Sequence, residues 1–404
     1  MFPRSCVLAA TVALLCAASG RASAQPQDSE DTRAQYPAPL RNAFFSIGIG
    51  GVRQPFSQAP LEPGFHAASI ELPPIAARVI VFGHEITRFV SAQASYLRPA
   101  KYVTYVDVLG ANSGRHHVRV NFATLTLTAR APIRGRLSVY GEGGLGITSR
   151  TGFNVGNAVG LADAHYASFA GGGGAEFRLS PSWTLTGGLL YLPGHSPVQQ
   201  PRTAFFSGGI RYTIRPLAPE RVEAVRRSGY IFPRRTIYLE YSSGIGYGVN
   251  TFVSTKVPIF WGGHAEVDFG LAPHYEQNVF HTRKLFAFDV GASAGVYRTR
   301  RNGDRFHTLS AYPLFRFLFL RGRAADLYAV YSLAGPTYVS RIVLDGLDTG
   351  RHFTFQDFMG VGVFLGPRRK LNAGLKINHY SNGNIFTQNA GVKIPLTFSV
   401  GYAF

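Results

Sequence analysis

Cysteine is absent from the chain after residue 16, since its two cysteines, Cys6 and Cys16, lie near the N-terminus. They fall in a stretch with a positively charged start, an apolar run and an Ala-Ser-Ala sequence ending at Ala24, which predicts a secretory signal over residues 1–24. Lipid attachment at Cys16 is disfavoured because the preceding Leu15 is bulky. We therefore expect an exported chain without disulfides, thiol nucleophiles or cysteine metal sites.

Long apolar runs are also absent. No segment after the signal has the roughly 20 consecutive apolar residues that a membrane-spanning helix needs. Hydrophobic residues nevertheless make up 46% of the chain and aromatic residues 13%, and there are 46 glycines. Apolar residues spread by alternation, with many aromatics and glycines, are typical of an outer-membrane barrel. The sequence therefore predicts an all-β, antiparallel β-barrel in the outer membrane of a Gram-negative bacterium.

Acidic residues are few. The chain has 41 Lys and Arg against 22 Asp and Glu, a formal net charge of +19, of which Arg4 and Arg21 of the signal contribute two. Nucleic acid binds such charge, but an exported chain rarely meets it, so no nucleic-acid partner is expected. One explanation is attraction to the anionic head groups and phosphates of a bacterial outer surface. Basic loops without a partner explain the charge equally well.

Segments with an apolar–polar period of two recur after residues 25–40, a polar stretch that we expect to be a poorly ordered tail. The first half contains eight predicted strands, at Ala43–Arg53, Ile75–Phe82, Phe89–Leu97, His117–Ala129, Leu137–Thr148, Tyr166–Leu179, Thr184–Leu192 and Ala204–Ile214. The second half contains eight more, at Thr236–Tyr247, Val257–Leu271, Leu285–Tyr297, Thr308–Leu320, Ala325–Leu333, Phe353–Leu365, Leu371–Asn382 and Val392–Phe404.

Between the two sets, Pro216–Arg235 interrupts the pattern with charges, three prolines and a short predicted helix at Pro219–Arg227. We therefore predict two tandem eight-stranded barrels, at residues 41–215 and 235–404, joined by a linker at residues 216–234. A single sixteen-stranded barrel is the alternative. Both ends of an even-stranded barrel lie on one side of the membrane, so the linker is expected in the periplasm. Side chains fill an eight-stranded barrel, which disfavours a pore.

The chain ends on Tyr402-Ala403-Phe404. A last strand of alternating apolar residues that ends in Phe resembles the assembly signal of outer-membrane barrels. The barrel-assembly machinery is therefore an expected partner, through Phe404.

The strand predicted at Leu371–Asn382 ends in the quartet His379-Tyr380-Ser381-Asn382. Alternation places His379 and Ser381 on the strand's apolar, lipid-facing side and Tyr380 on its polar, interior side. A histidine beside a serine can act as base and nucleophile, because the imidazole takes the hydroxyl proton as the serine attacks a carbonyl. The alternative is that both side chains lie in the interfacial girdle, where polar residues are common, and a His-x-Ser pair alone favours this alternative.

The wider sequence changes that balance. The segment His379–Gly383, which reads His-Tyr-Ser-Asn-Gly, and the following Asn389–Gly391 resemble the lipid A 3-O-deacylase family, also called acyloxyacyl hydrolases. Upstream, Gly335–Ser340 and Phe353–Asp357 look like the family's fifth-to-sixth strand region and its sixth-strand motif. The resemblance covers residues 235–404 and is concentrated in the last part of this range.

The resemblance implies an eight-stranded outer-membrane barrel that hydrolyses an ester and removes a 3-hydroxyacyl chain from lipid A. Lipid A, within lipopolysaccharide, is then the expected partner. The nucleophile would be Ser381 and the base His379. Asn382 and the backbone near Gly383 would stabilise the oxyanion, and Asn389 would hold the loop. The resemblance implies neither a cofactor nor a metal.

One departure concerns the third member of the triad. The family's characterised members carry a glutamate on the last strand, and that position falls here on Lys393. No Asp or Glu follows Asp357. A lysine cannot orient and charge-stabilise an imidazolium. Alternation assigns Lys393 to the interior and Val392 and Ile394 to the lipid side, unless a bulge changes the parity.

Asp357 is the candidate acid in place of the glutamate that the family has on its last strand. If Leu365 pairs with Leu371, antiparallel register places Asp357 opposite His379, on the same lipid-facing side. Our hypothesis is that Asp357 supplies the carboxylate. The alternative is a structural acid that fixes a loop through hydrogen bonds.

Other sequence patterns give weaker indications of function. The remaining histidines show no metal-site spacing with carboxylates. Gly171–Gly174 is not a phosphate loop, since no Gly-Lys-Ser/Thr follows. The first barrel shows no reactive constellation, so we expect it to bind a partner, stabilise the second barrel or orient substrate. The alternative function for the whole chain is a non-catalytic barrel, structural or interacting, that has lost the triad acid.

Overall fold

Alternating sequence folds into long antiparallel strands, and the strands of each half of the chain close into their own ring. The computed structural model describes residues 32–109, 114–256, 262–386 and 388–404. The predicted signal peptide and the first part of the predicted tail lie outside the described residues.

In the described part of the first half, the strands are β1 Ala43–Arg53, β2 Ala67–Glu71, β3 Ile75–Glu85, β4 Val90–Pro99, β5 Val103–Val108, β6 Arg115–Arg134, β7 Leu137–Thr151, β8 Phe153–Val155, β9 Ala158–Leu161, β10 Ala164–Arg178, β11 Trp183–Leu192 and β12 Thr203–Thr213. Eight of them form a ring in the order β6-β4-β3-β1-β12-β11-β10-β7, which the pairing of β6 with β7 closes. These eight are the predicted strands of this half.

Four short strands lie outside the ring and were not predicted. β2 pairs with β5, β5 pairs with the start of β6, and β8 pairs with β9. They lie at the end of the barrel away from the linker, which we call the loop end. Buried apolar residues such as Phe56, Val108 and Leu161 hold this part together. Strands of three to six residues are too short to show a period of two.

The linker contains helix α1 at Pro219–Arg226, as predicted. The described part of the tail is held by hydrogen bonds, because Arg33 Nη1 donates to the Phe232 carbonyl (3.1 Å) and Gln35 Nε2 to the Leu217 carbonyl (3.0 Å). The prediction of a poorly ordered tail is therefore wrong from Arg33 onward. Its partners lie far away in sequence, which local composition does not reveal.

In the described part of the second half, the strands are β13 Arg235–Ser242, β14 Ala265–His281, β15 Phe286–Thr299, β16 Arg305–Arg321, β17 Ala325–Val339, β18 Val343–Leu344, β19 Leu347–Asp348, β20 Phe353–Leu365, β21 Leu371–Ser381 and β22 Val392–Ala403. All but β18 and β19 form a closed barrel, with β13 paired to both β14 and β22. Two closed rings confirm the tandem-barrel prediction and exclude a single sixteen-stranded barrel.

The first two strands of the second barrel differ from the prediction. β13 stops at Ser242, because Gly244 and Gly246 adopt positive φ angles of 71° and 78° that break an extended strand. Helix α2 follows at Tyr247–Lys256. The next strand was predicted at Val257–Leu271, of which residues 257–261 lie outside the described residues; β14 spans Ala265–His281, so both predicted bounds are wrong. No helix in the described ranges is long and apolar enough to cross a membrane.

The two faces of the second barrel differ in polarity. Inside, Arg316 donates to Glu276 at 2.6 Å and to Asp289 at 2.9 Å, and all three side chains are buried. Outside, apolar side chains such as Leu309 and Val400 are 62% and 71% exposed. A polar, filled interior and an apolar exterior suit a barrel surrounded by lipid.

Candidate active site

The predicted pairing of β20 with β21 is present. Leu365 pairs with Leu371, and the register continues without a shift until Asp357 lies opposite His379 and Phe355 opposite Ser381. Because no residue is inserted, alternation holds along β21. His379 and Ser381 therefore share the outer face of the barrel near its loop end.

A bulge in β22 changes the parity of the last strand. Lys376 pairs with Thr397, but Asn378 pairs with Ile394, so β22 carries one extra residue at Pro395-Leu396. Pro395 has no N–H to donate to a ladder, which suits a bulge position.

The bulge corrects three predicted orientations. Val392 and Ile394 are buried in an interior cluster with Tyr297 and Tyr380, so the prediction that they face lipid is wrong. Lys393 lies on the outer face, directly opposite His379, so its predicted interior position is wrong too. Sequence alternation alone cannot locate the extra residue that reverses the pattern.

Four ionisable side chains follow one another across neighbouring strands on this outer face. Asp357 of β20 faces His379 of β21, with 3.6 Å between Asp357 Oδ2 and His379 Nδ1. Lys393 of β22 faces Glu266 of β14, with 3.6 Å between Nζ and Oε1. β14 reaches β22 because β13 is short, and the two strands pair in parallel at Glu266 and Lys393. The resulting charged row is Asp357, His379, Lys393 and Glu266.

The second oxygen of Asp357 is held by backbone. Its Oδ1 accepts a hydrogen bond from Ala334 N at 2.6 Å. Ala334 has a φ of 55° at an irregularity in the pairing of β17 with β20. Asp357 therefore stabilises this irregularity through one oxygen and directs the other at the imidazole. The structural and the orienting roles that the sequence left open are compatible in one side chain.

His379 is 1% exposed, whereas Ser381 is partly exposed. Gly391 lies over the imidazole: its φ is 67°, and a Cβ there would stand 3.3 Å from His379 Nε2 and from the Gly263 backbone. A side chain at position 391 would be strained and crowded, so the glycine lets the backbone approach the histidine. The chain between β21 and β22 thus forms part of the wall of the site.

We call residues 382–386 and 388–391 the site loop. Asn382 is fully buried, and its Nδ2 donates to the carbonyls of Thr349 (3.2 Å) and Gln388 (2.6 Å). A side-chain amide has two hydrogens, so both are engaged. Asn389 Oδ1 accepts from Asn382 N at 3.0 Å. Both asparagines therefore hold the loop, and the Asn382 side chain has no hydrogen left for an oxyanion.

On the interior side of β21, Tyr380 is held by polar contacts inside the barrel. Tyr380 is 1% exposed, and Gln356 Nε2 donates to its hydroxyl at 3.2 Å. The Tyr380 hydroxyl also lies 3.3 Å from Thr308 Oγ1. Within the quartet, Tyr380 therefore fixes the strand from the interior, while His379 and Ser381 lie on the outer face.

A serine–histidine contact lies in the first barrel, where the sequence indicated none. Ser149 Oγ and His165 Nδ1 are 2.7 Å apart on adjacent strands. Ser149 also donates its hydrogen to the Ile385 carbonyl, at 2.5 Å, so the contact is made if His165 Nδ1 is the donor. This assignment suits a structural contact rather than a nucleophile. The two residues are 16 positions apart, so no local motif signals them.

Metal ligands do not gather here: within the described ranges, no group of three or more His, Cys, Asp or Glu could hold an ion. His274, in the interior of the second barrel, illustrates the other histidines, since its Nδ1 lies 2.7 Å from the Tyr312 hydroxyl and 3.0 Å from that of Tyr238.

The second barrel is similar to a known protein family. The family model for lipid A 3-O-deacylase matches residues 250–403, which confirms the resemblance over this barrel. The matched range contains Asp357, His379, Ser381 and Lys393. None of the curated protein sequences matches the chain.

Three solved outer-membrane structures are similar to about two fifths of this chain. The outer membrane enzyme PagL is 16% identical, with 42% of this chain and 98% of that chain covered and a TM-score of 0.29. Neisserial surface protein A is 13% identical, with coverages of 42% and 96% and a TM-score of 0.28. The attachment invasion locus protein of Yersinia pestis, in complex with the heparin analogue sucrose octasulfate, is 14% identical, with coverages of 42% and 97% and a TM-score of 0.29.

The family match and the two closed barrels with apolar outer faces agree with the composition. The chain is an outer-membrane β-barrel protein of a Gram-negative bacterium, and its second barrel is similar to lipid A deacylases.

Proposed function

We propose that the second barrel is an esterase that removes an ester-linked 3-hydroxyacyl chain from lipid A, with Ser381 as nucleophile and His379 as base. The observation that carries this proposal is the contact of Asp357 with His379, 3.6 Å apart, beside Ser381 on the outer face. An acid, an imidazole and a serine in this order are the components of a hydrolytic triad.

Each nitrogen of His379 has its own task in this proposal. Nδ1 faces Asp357, so Nε2 accepts the Ser381 proton. As the hydroxyl oxygen bonds to the acyl carbon, the carbonyl oxygen becomes an oxyanion. Collapse breaks the ester bond, and His379 returns the proton to the sugar oxygen that leaves. Water then repeats the sequence on the acyl-serine and releases the 3-hydroxy fatty acid.

Asp357 acts as a positioning residue. Its bond from Ala334 N fixes the carboxylate, and its free oxygen favours the imidazolium that forms as Ser381 attacks. The 3.6 Å separation is longer than a hydrogen bond and is short enough for strong attraction once the imidazole is charged.

Oxyanion stabilisation falls to the backbone. Both Nδ2 hydrogens of Asn382 are engaged within the site loop, so we assign the donors to backbone N–H groups at the turn around Gly383. A turn that two asparagines hold can present such donors without reorganising during the reaction. Asn382 and Asn389 then contribute by fixing the turn.

The position of the site suits this substrate. Ester bonds of lipid A lie where acyl chains meet the sugar, near the outer surface of the membrane. The site lies at the loop end of an outer face that is mainly apolar. Basic residues at that end, such as Arg300, Arg301 and Arg341, would attract lipid A phosphates. The proposal needs neither a metal nor a cofactor.

Two further expectations remain proposals. The linker would lie in the periplasm, and β22 with Phe404 would engage the barrel-assembly machinery. Both follow from the even strand number and the aromatic end of the last strand.

A non-catalytic barrel is the second candidate, and Lys393 opposite His379 favours it. A fluorophosphonate probe, which labels activated serines, distinguishes the two on the purified, folded protein. Labelling that Ser381→Ala and His379→Ala abolish, with release of 3-hydroxy fatty acid from lipid A, supports the esterase. Folded wild-type protein that neither reacts nor releases fatty acid supports the non-catalytic barrel.

A further inference from the structure

The site loop of the second barrel lies against the outer wall of the first. Four consecutive residues, Gly383–Phe386, contact β4, β6, β7 and β10 in turn. These four strands are neighbours in the ring of the first barrel. The segment therefore crosses the wall strand by strand.

The first two contacts bind the start of the segment. The Tyr96 hydroxyl donates to the Gly383 carbonyl at 3.2 Å. Arg119 Nη1 donates to Asn384 Oδ1 at 3.3 Å, and the same oxygen accepts from Asn389 Nδ2 at 3.1 Å. The Asn384 side chain thus links the first barrel to an asparagine that holds the loop.

The next two contacts bind its end. Ser149 Oγ donates to the Ile385 carbonyl at 2.5 Å and is itself supported by His165. The His165 ring also packs on Phe386, with ring centroids 5.5 Å apart. Ser149 is 5% exposed although alternation places it on the outer wall, as expected for a covered contact.

We propose that the first barrel is a positioning element for the site in the second, and that Tyr96, Arg119 and Ser149 hold the turn that follows Ser381. This inference rests on the proposed function for its catalytic consequence but not for its geometry. The first barrel forms no reactive site of its own in the described ranges. Positioning the site of the second barrel would be its function.

The first barrel would affect catalysis by holding the turn after Ser381 in its reactive geometry before substrate binds. Gly383 is two residues after Ser381, and its turn supplies the backbone donors assigned to the oxyanion. A polar carbonyl near lipid needs a hydrogen-bond donor, and the first barrel donates to those of both Gly383 and Ile385. Loss of these donors lets the turn move, and a displacement of about 1 Å costs about 100-fold in rate.

The placement can be tested without measuring activity, because the chain has no cysteine after Cys16. In the full-length protein in membranes, His165→Cys with Phe386→Cys should be joined by a short bis-maleimide. The matched control is Phe206→Cys with Phe386→Cys, since β12 lies on the opposite side of the first ring. Joining only the first pair supports the proposal, and failure to join it in folded protein overturns the placement.

The positioning role needs a second readout. Tyr96→Phe with Ser149→Ala should raise hydrogen exchange at residues 382–386 and lower kcat for lipid A about 100-fold, with KM little changed. Ser149→Thr, which keeps the hydroxyl, should restore most of the kcat in the Tyr96→Phe background. Tyr191→Phe, on the outer face of β11 and outside the four strands that contact the site loop, should change neither quantity.

The outcomes separate the two proposals. Unchanged exchange in the double variant overturns the positioning role whether or not the protein is an esterase. Raised exchange with unchanged kcat overturns its catalytic consequence. If the wild type has no hydrolase activity, the proposed function fails, and cross-linking with exchange still decides whether the first barrel holds the turn.

Discussion

Lys393 lies directly opposite His379 in the ladder of β21 and β22, at the place where the resemblance leads one to expect a glutamate. Its Nζ lies 3.6 Å from Glu266 Oε1, and the acid of His379 comes from the other side, from Asp357. The imidazole therefore has a carboxylate on one neighbouring strand and a neutralised lysine on the other. In our proposal, the acid that orients His379 is therefore on the sixth strand of the barrel and not on the last.

The role of Asp357 is tested by Asp357→Asn. The amide oxygen can still accept the bond from Ala334 N, so the variant removes the charge and keeps the local structure. We expect kcat to fall by about 10³–10⁴-fold, as for loss of a triad carboxylate. Asp268→Asn, at an exposed outer ion pair with Arg298, is the control and should retain activity. Asp357→Asn with activity within a few-fold of wild type would show that another group orients His379.

The relation between Lys393 and Glu266 allows a rescue experiment. In the Asp357→Asn background, Lys393→Glu with Glu266→Lys keeps the ion pair and places a carboxylate opposite His379. We expect kcat to recover by at least about tenfold, because a carboxylate again stabilises the imidazolium. Lys393→Gln is the matched control without a carboxylate and should not rescue. No recovery in a folded charge-swapped protein would contradict this account of the lysine.

The site loop should loosen in Asn389→Ala. This change removes the acceptor of Asn382 N, and an unpaired buried donor costs about 1–3 kcal/mol. Proteolysis within residues 382–391 should therefore become at least about five times faster in the folded barrel. Asn389→Asp keeps the acceptor and should stay closer to wild type. Equal cleavage rates for Asn389→Ala and the wild type would mean that this bond does not hold the loop.

The interior of the second barrel depends on Arg316. Arg316→Met leaves Glu276 and Asp289 buried without their cation, and breaking such a pair costs about 3–5 kcal/mol. Arg298→Met breaks an exposed pair with Asp268 and should cost about 0–1 kcal/mol. Urea unfolding in detergent micelles measures both. If Arg316→Met lowers the free energy of unfolding less than Arg298→Met does, the buried ion pairs of Arg316 do not stabilise the barrel as we expect.

Many of the long strands were predictable from alternation, although the predicted bounds of β14 were wrong at both ends. The strand at Ala43–Arg53 and that at Phe353–Leu365 have the predicted bounds, because each has one lipid-facing and one interior side. Short loop-end strands were missed, and so was helix α2, where the predicted strand continued through Gly244 and Gly246. Only the tertiary structure shows that these glycines turn the chain.

The site was predictable in its register but not in all its neighbours. Pairing of Leu365 with Leu371 was an assumption, and the register that follows from it, with Asp357 opposite His379, is present in the structure. One inserted residue at Pro395-Leu396 then reversed the orientation of Lys393, and alternation carries no record of it. Contacts between the barrels, such as Ser149 with Ile385, join residues far apart in sequence and leave no local pattern.

The most direct test of the central claim is mass spectrometry of lipid A from Gram-negative cells that produce either the wild type or Ser381→Ala. Heat-modifiable migration on gels checks that both barrels are folded in the membrane. We predict that lipid A loses one ester-linked 3-hydroxyacyl chain with the wild type and keeps it with Ser381→Ala. Identical lipid A in the two strains, with both proteins folded, would contradict the assignment of Ser381 as the nucleophile of a lipid A esterase.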